Sequence, residues 1–302
     1  MSHPLMAIES GAARPDTGRR AFGAGLLGLA GRAALSGPAG FASWCFGAMA
    51  WLPARSARAQ GEGARVALVI GNADYRVAPL SNPVNDARLV SATLQDLGFN
   101  VLLLENGSLN EMVDALRQWL IASRRASVRA FYFAGHGTQF RGRNYLVPVD
   151  MAITSEQELD RRALVLADVV DAVSQQREGV NFVIIDACRT APNLLLGRRT
   201  RSLENPPPPG FTPQEAPRGT VVAFSTSPGA LAADGVGERN SVFTKALARQ
   251  LRQPGLPVES LFKRVRVSVM RETGNAQVPW ESSSLVGEFC FRPNPDGRCV
   301  PG

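Results

Sequence analysis

Histidine is nearly absent from this 302-residue chain, which has only His3 and His136. Cysteine is scarce too: Cys45, Cys188, Cys290 and Cys299 are the four present, and their spacings form no CxxC pair. A structural zinc site gathers four Cys or His ligands, so the body of the chain does not supply one and no metal site is expected. Runs of Lys and Arg interleaved with aromatics are also missing, which argues against nucleic-acid binding. The formal net charge of +7 does not alter that. Six Arg against Glu9 and Asp16 put +4 of it into residues 1–59 and leave +3 for the remainder.

What is present is ordinary for a globular protein: 45% hydrophobic and 20% charged residues, enough for one sizeable α/β domain or two small ones. Residues 21–53 are almost uncharged, with Arg32 the exception, and follow directly on Arg19-Arg20. Ala57-Arg58-Ala59 closes the stretch with a small-x-small site. This order of basic start, apolar middle and small-residue exit reads as an export signal, and the arginine pair resembles a twin-arginine signal. An uncleaved anchor over 33–53, long enough to span a bilayer, is the alternative. Either reading puts residues 60–302 outside the cytoplasm, exported to the periplasm or anchored facing it. Residues 23–28 also match GxGxxG, but they lie inside the apolar signal without the strand and helix that a dinucleotide loop needs.

Five short apolar runs, 66–70, 101–104, 128–134, 180–185 and 220–225, are mostly apolar at consecutive positions. Strands buried on both faces of a parallel sheet look like this. Helical spacing predicts helices over 86–97, 108–121, 163–175, 241–251 and 258–271. Ser108 and Glu111 form a possible capping box, and Ser241 is a plausible cap. Strands alternating with helices imply an α/β layered domain. Residues 191–218, with Arg198, Arg199, Arg201 and four consecutive prolines at 206–209, read as an exposed irregular loop.

Two of the apolar runs end in reactive groups: Gly135-His136-Gly137 and Asp186-Ala187-Cys188-Arg189. In an open parallel sheet the ligand crevice lies beyond the carboxyl ends of the strands, so on neighbouring strands His136 and Cys188 can meet. A thiol is only partly ionised at neutral pH. An adjacent imidazole can take its proton and later protonate the leaving amine. The backbone amides of Gly137 and Cys188 are candidates for an oxyanion hole.

These motifs resemble the caspase and metacaspase family. Its signature has a Cys after Gln-Ala and a His about 50 residues upstream; here Asp186-Ala187-Cys188 stands 52 positions after His136. Further similar segments are Val69-Ile70-Gly71-Asn72, Asn85-Asp86-Ala87, Ser225-Thr226-Ser227-Pro228-Gly229, the stretch from Asn240 to Leu247, and Val278-Pro279-Trp280-Glu281-Ser282. The resemblance implies a caspase-like three-layer sandwich, with a mostly parallel central sheet flanked by helices. It would have a large-subunit-like part over 65–190, the loop 191–218 and a small-subunit-like part over 219–291. It implies a cysteine endopeptidase with His136 and Cys188 as the catalytic pair.

Caspases proper cut after Asp, through a basic pocket. This chain has Asp186 where they have Gln and Asp234 where they have an Arg. Metacaspases line their pocket with carboxylates, which here are Asp86 and Asp186, so the resemblance implies protein or peptide substrates cut after Arg or Lys. Simpler roles stand beside these: Asp86 as a helix cap, Asp186 and Asp234 as turn residues. Arg198, Arg199 and Arg201 are candidate self-processing sites, or a solvated basic loop. No cofactor is expected. Calcium activates many metacaspases, but no compact acidic cluster has the ligand count calcium prefers. The rival reading is a non-catalytic caspase-like scaffold. A Cys290–Cys299 disulfide is compatible with export.

Overall fold

The computed structural model describes residues 63–151, 155–176, 178–189, 211–227 and 238–300, with backbone alone for Glu156, Cys188 and Arg189. The predicted signal or anchor (1–59), Arg198, Arg199, Arg201 and Asp234 lie outside the described residues. No helix among the described residues is long and apolar enough to cross a membrane.

Among the described residues, eight strands form one mixed sheet: β1 Arg65–Gly71, β2 Phe99–Glu105, β3 Val128–Phe140, β4 Arg143–Leu146, β5 Leu164–Val165, β6 Val180–Arg189, β7 Thr220–Phe224 and β8 Trp280–Ser283. Their order is β2-β1-β3-β6-β7-β8, with β4 paired to β3 and β5 to β4. The inner pairs β2-β1, β1-β3, β3-β6 and β6-β7 are parallel, while β8 and β4 run antiparallel to β7 and β3. The helices among the described residues are α1 Pro83–Asp96, α2 Leu109–Ala122, α3 Leu159–Arg162, α4 Leu166–Ser174, α5 Val242–Leu251 and α6 Val258–Glu272.

The period of two along each strand divides the core in two. Ala67, Val69, Tyr132, Phe182, Ile184 and Ala223 face α1, α5 and α6 in one cluster. Leu68, Ile70, Phe131, Phe133, Val183 and Val222 face α2 and α4 in the other. Consecutive apolar residues in the strands are thus consecutive residues buried on opposite faces, and the result is the three-layer α/β sandwich expected.

The five apolar runs are β1, β2, β3, β6 and β7, and the five helical patterns are α1, α2, α4, α5 and α6. The differences are local. Strand β3 continues six residues past the apolar run because β4 gives it a second, antiparallel partner over Gly137–Phe140. Helix α1 begins at Pro83, three residues before the predicted start, with proline in its first turn. Helix α4 begins only at Leu166, because Leu164 and Val165 pair with β4. The capping box is present: the Ser108 hydroxyl accepts from the Glu111 amide, and the Glu111 carboxylate accepts from the Ser108 amide at 2.9 Å. Cys290 and Cys299 are joined in a disulfide with Cα atoms 5.7 Å apart.

Candidate active site

The strand order sets where a site can lie. The chain leaves β1 toward β2 on one side of the sheet, and β3 then pairs on the other side of β1. A crevice opens at the carboxyl ends of β1 and β3. Two side chains hold the loop after β1. Buried Asn72 accepts from the Gly107 amide at 2.9 Å and donates to the Val147 carbonyl at 3.1 Å. The Asn106 side-chain oxygen accepts from the amides of Ala73 and Asp74 at 2.9 and 3.2 Å.

That loop brings Tyr75 and Ala78 onto His136. The Tyr75 hydroxyl accepts from the His136 amide at 2.9 Å and donates to the Val147 carbonyl at 3.1 Å. The two rings lie 4.3 Å apart. Burial pushes the Tyr75 phenol up, so it stays protonated and keeps donating. Gly135 makes the approach possible: its φ is +153°, and a Cβ there would sit 2.5 Å from the Tyr75 oxygen. His136 is only 4% exposed, and its Nε2 lies 2.6 Å from the Ala78 carbonyl. A carbonyl only accepts, so Nε2 carries a proton, and in the neutral imidazole Nδ1 then holds the lone pair. Ala78 itself holds a positive φ of 54°, a conformation unusual for alanine.

Strands β3 and β6 run parallel with His136 directly opposite Cys188 and Gly137 opposite Arg189. Neighbouring strands are about 4.8 Å apart, so the register puts the two backbone positions within side-chain reach of each other. Gly137 also lies opposite Leu146 of β4. The ring of Phe211 covers it so closely that a Cβ would fall 2.1 Å from the ring.

Asp86 and Asp186, 2% and 9% exposed, meet at the start of α5. One Asp86 oxygen accepts from the Asn240 side-chain amide and the Ser241 backbone amide, both at 2.9 Å. One Asp186 oxygen accepts from the hydroxyls of Ser241 at 2.6 Å and Thr244 at 2.7 Å. The Tyr132 hydroxyl is 2.6 Å from that of Thr244. Burial first, then the charges of Asp186 and Asp86, push the Tyr132 phenol well above its usual range. Of the simpler roles, the cap position of α1 falls to Asn82, leaving Asp86 in the first turn. Asp186 lies inside strand β6, not in a turn.

The sequence reading missed Tyr75, Ala78, Tyr132 and Thr244, and saw Ser241 only as a cap. A tyrosine in an apolar strand and a threonine in an apolar helix were the available signals. Among the described residues, no three His, Cys, Asp or Glu side chains cluster as a metal ion would require.

Comparison with known proteins agrees with this architecture. The chain is 30% identical over 126 residues to the human mucosa-associated lymphoid tissue lymphoma translocation protein 1, covering 41% of this chain and 15% of that one. It is 30% identical over 136 residues to a probable protease of a Desulfuromonadales bacterium, again covering 41% and 15%. The chain thus spans only 15% of the length of these relatives. The caspase-domain profile matches residues 64–290, which takes in the whole sheet, the His136–Cys188 pair and both buried carboxylates: the chain belongs to the caspase-domain family.

Proposed function

We propose that this protein is a cysteine endopeptidase that cleaves after Arg or Lys, with Cys188 as nucleophile and His136 as general base and acid. The observation that carries the reading is the register that sets His136 opposite Cys188 at the carboxyl ends of adjacent parallel strands. The Ala78 carbonyl supports it by fixing the proton on Nε2, which leaves Nδ1 to accept the thiol proton.

The thiolate attacks the scissile carbonyl carbon, and the amides of Gly137 and Cys188 receive the developing oxyanion. The imidazolium then protonates the leaving amine. Water, deprotonated by His136, attacks the acyl-enzyme and releases the acid product and the thiol. Asp86 and Asp186, buried together at one helix start, support a basic residue before the cut by simple charge complementarity; Asp234 is proposed as a third wall of that pocket. Arg198, Arg199 and Arg201 are then candidate self-cleavage sites. The Cys290–Cys299 disulfide supports export, since such bonds persist in oxidising compartments.

The test is turnover of fluorogenic peptides ending in Arg, Lys or Asp by the full chain in reducing buffer, with and without calcium, beside Cys188→Ala. Turnover after Arg or Lys that disappears in Cys188→Ala is the expected result. Cleavage after Asp keeps the catalytic pair and overturns the acidic pocket. Folded, reduced protein with no turnover under any condition favours the non-catalytic scaffold.

A further inference from the structure

We infer that Ser241 is a specificity-determining positioning residue, which joins Asp86 and Asp186 into a single acidic site for a basic side chain; this rests on the basic-residue reading above. Ser241 touches both carboxylates. Its backbone amide donates to Asp86, and its hydroxyl donates to Asp186. The same hydroxyl oxygen caps α5 by accepting from the Thr244 amide at 3.0 Å.

With Asp186 as a carboxylate, the proton inventory gives each bond a direction. Each hydroxyl has one proton. The Ser241 oxygen accepts from the Thr244 amide, so its proton goes to Asp186. The Thr244 proton goes to the same Asp186 oxygen at 2.7 Å, so Tyr132 must donate to Thr244 across their 2.6 Å contact. The chain Tyr132 to Thr244 to Asp186, closed by Ser241, suits an Asp186 oxygen that carries no proton. Asp86 receives two N–H donors on one oxygen, which likewise suits the ionised form. Two like charges buried close together repel, and the positive end of the α5 dipole lies where they meet. Ser241 therefore keeps both carboxylates charged and aligned for a guanidinium or ammonium.

The test compares full-length wild type, Ser241→Ala, Ser241→Thr and Thr244→Val. It reads kcat and KM on Arg- and Lys-ending peptides, and the rate of Cys188 alkylation by iodoacetamide, followed on the labelled peptide by mass spectrometry. Alkylation by a small neutral reagent reports the His136–Cys188 pair without the pocket. Ser241→Ala should raise KM for basic peptides about tenfold or more, the scale of losing a hydrogen bond to a charged group. Its alkylation rate should stay at the wild-type value. Ser241→Thr should restore KM, and Thr244→Val should raise it with its α5 cap intact. If KM in Ser241→Ala is unchanged, or if turnover and alkylation fall together, Ser241 is only a helix cap and the inference is overturned. If wild type alkylates normally but turns over no basic peptide, the basic-pocket reading fails and takes this inference with it.

Discussion

Gly137 has no space for a side chain. A Cβ would stand 2.1 Å from Phe211, whose own ring is packed 5.5 Å from Phe224, so the clash cannot be relieved by swinging a surface group aside. Gly137→Ala is expected to displace Phe211 or the strand and to cut peptide turnover by at least about tenfold, with a stability loss of about 1–3 kcal/mol from overpacking. Turnover and urea unfolding measured on the same preparation check both. Tyr75→Phe belongs to the same scale. It strips the partner from the buried His136 amide, at about 1–3 kcal/mol for the group left unsatisfied, while the Val147 carbonyl keeps its bond from Asn72. It should slow Cys188 alkylation, because His136 loses an anchor. The candidate pair was legible as a pattern because its signal is local: a His and a Cys each follow an apolar run, in an order and spacing that few other arrangements share. Their supports were not. Ser241 lies 55 residues from Asp186 and 155 from Asp86, and nothing in a one-dimensional pattern brings such pairs together.

At the scale of elements, long periodic segments declared themselves and short ones did not. Strands β4, β5 and β8 have four, two and four residues. Sequences such as Arg143-Asn144-Tyr145-Leu146 show too little alternation to register as strands, and exist because a neighbouring strand end offers its backbone groups. Helix α2, by contrast, announced its own start, and its capping box yields a prediction with a sign. The Ser108 hydroxyl, then its amide, hold the Glu111 carboxyl below the usual carboxylate range. A carboxyl depressed in the folded state adds stability above its unfolded pKa, and that stability is lost as pH falls through the lower folded value. Ser108→Ala should therefore lower stability at neutral pH through the lost cap. The gap to wild type should narrow once pH drops below about 4, near the unfolded glutamate value. Urea unfolding at both pH values checks this, and Cys188 alkylation should be unaffected, since α2 packs on the opposite face of the sheet from α1 and α5.

Over the whole molecule, residues after the last strand complete the core of the α1, α5 and α6 face. Phe289 and Phe291 stack on Phe182 with ring centroids 4.9 and 4.6 Å away, and the Phe291 carbonyl accepts from Arg65 at the start of the first strand. The disulfide fixes this tail at Cys290, beside Phe291. Cys299→Ser is expected to lower unfolding free energy by about 2–3 kcal/mol in oxidising buffer, from the short loop it releases, and to match wild type once reductant opens the bond in both. An assay of the proposed cysteine-peptidase activity in reductant thus reads the less stable form, and the two effects of reductant are separable with this variant.

The sheet has one further consequence for the chain that crosses it. Strands β6 and β7 are paired over five positions, although residues 190–219 separate them in sequence, and both apolar clusters draw residues from either side of that interval. A backbone break there leaves two polypeptides held by the same ladder and the same cores. Their refolding differs, however. An intact chain finds its partner strand within itself at a rate independent of dilution, whereas two fragments must meet by collision, so recovery becomes second order in concentration. Such a break would make the folded particle easy to keep and hard to regain.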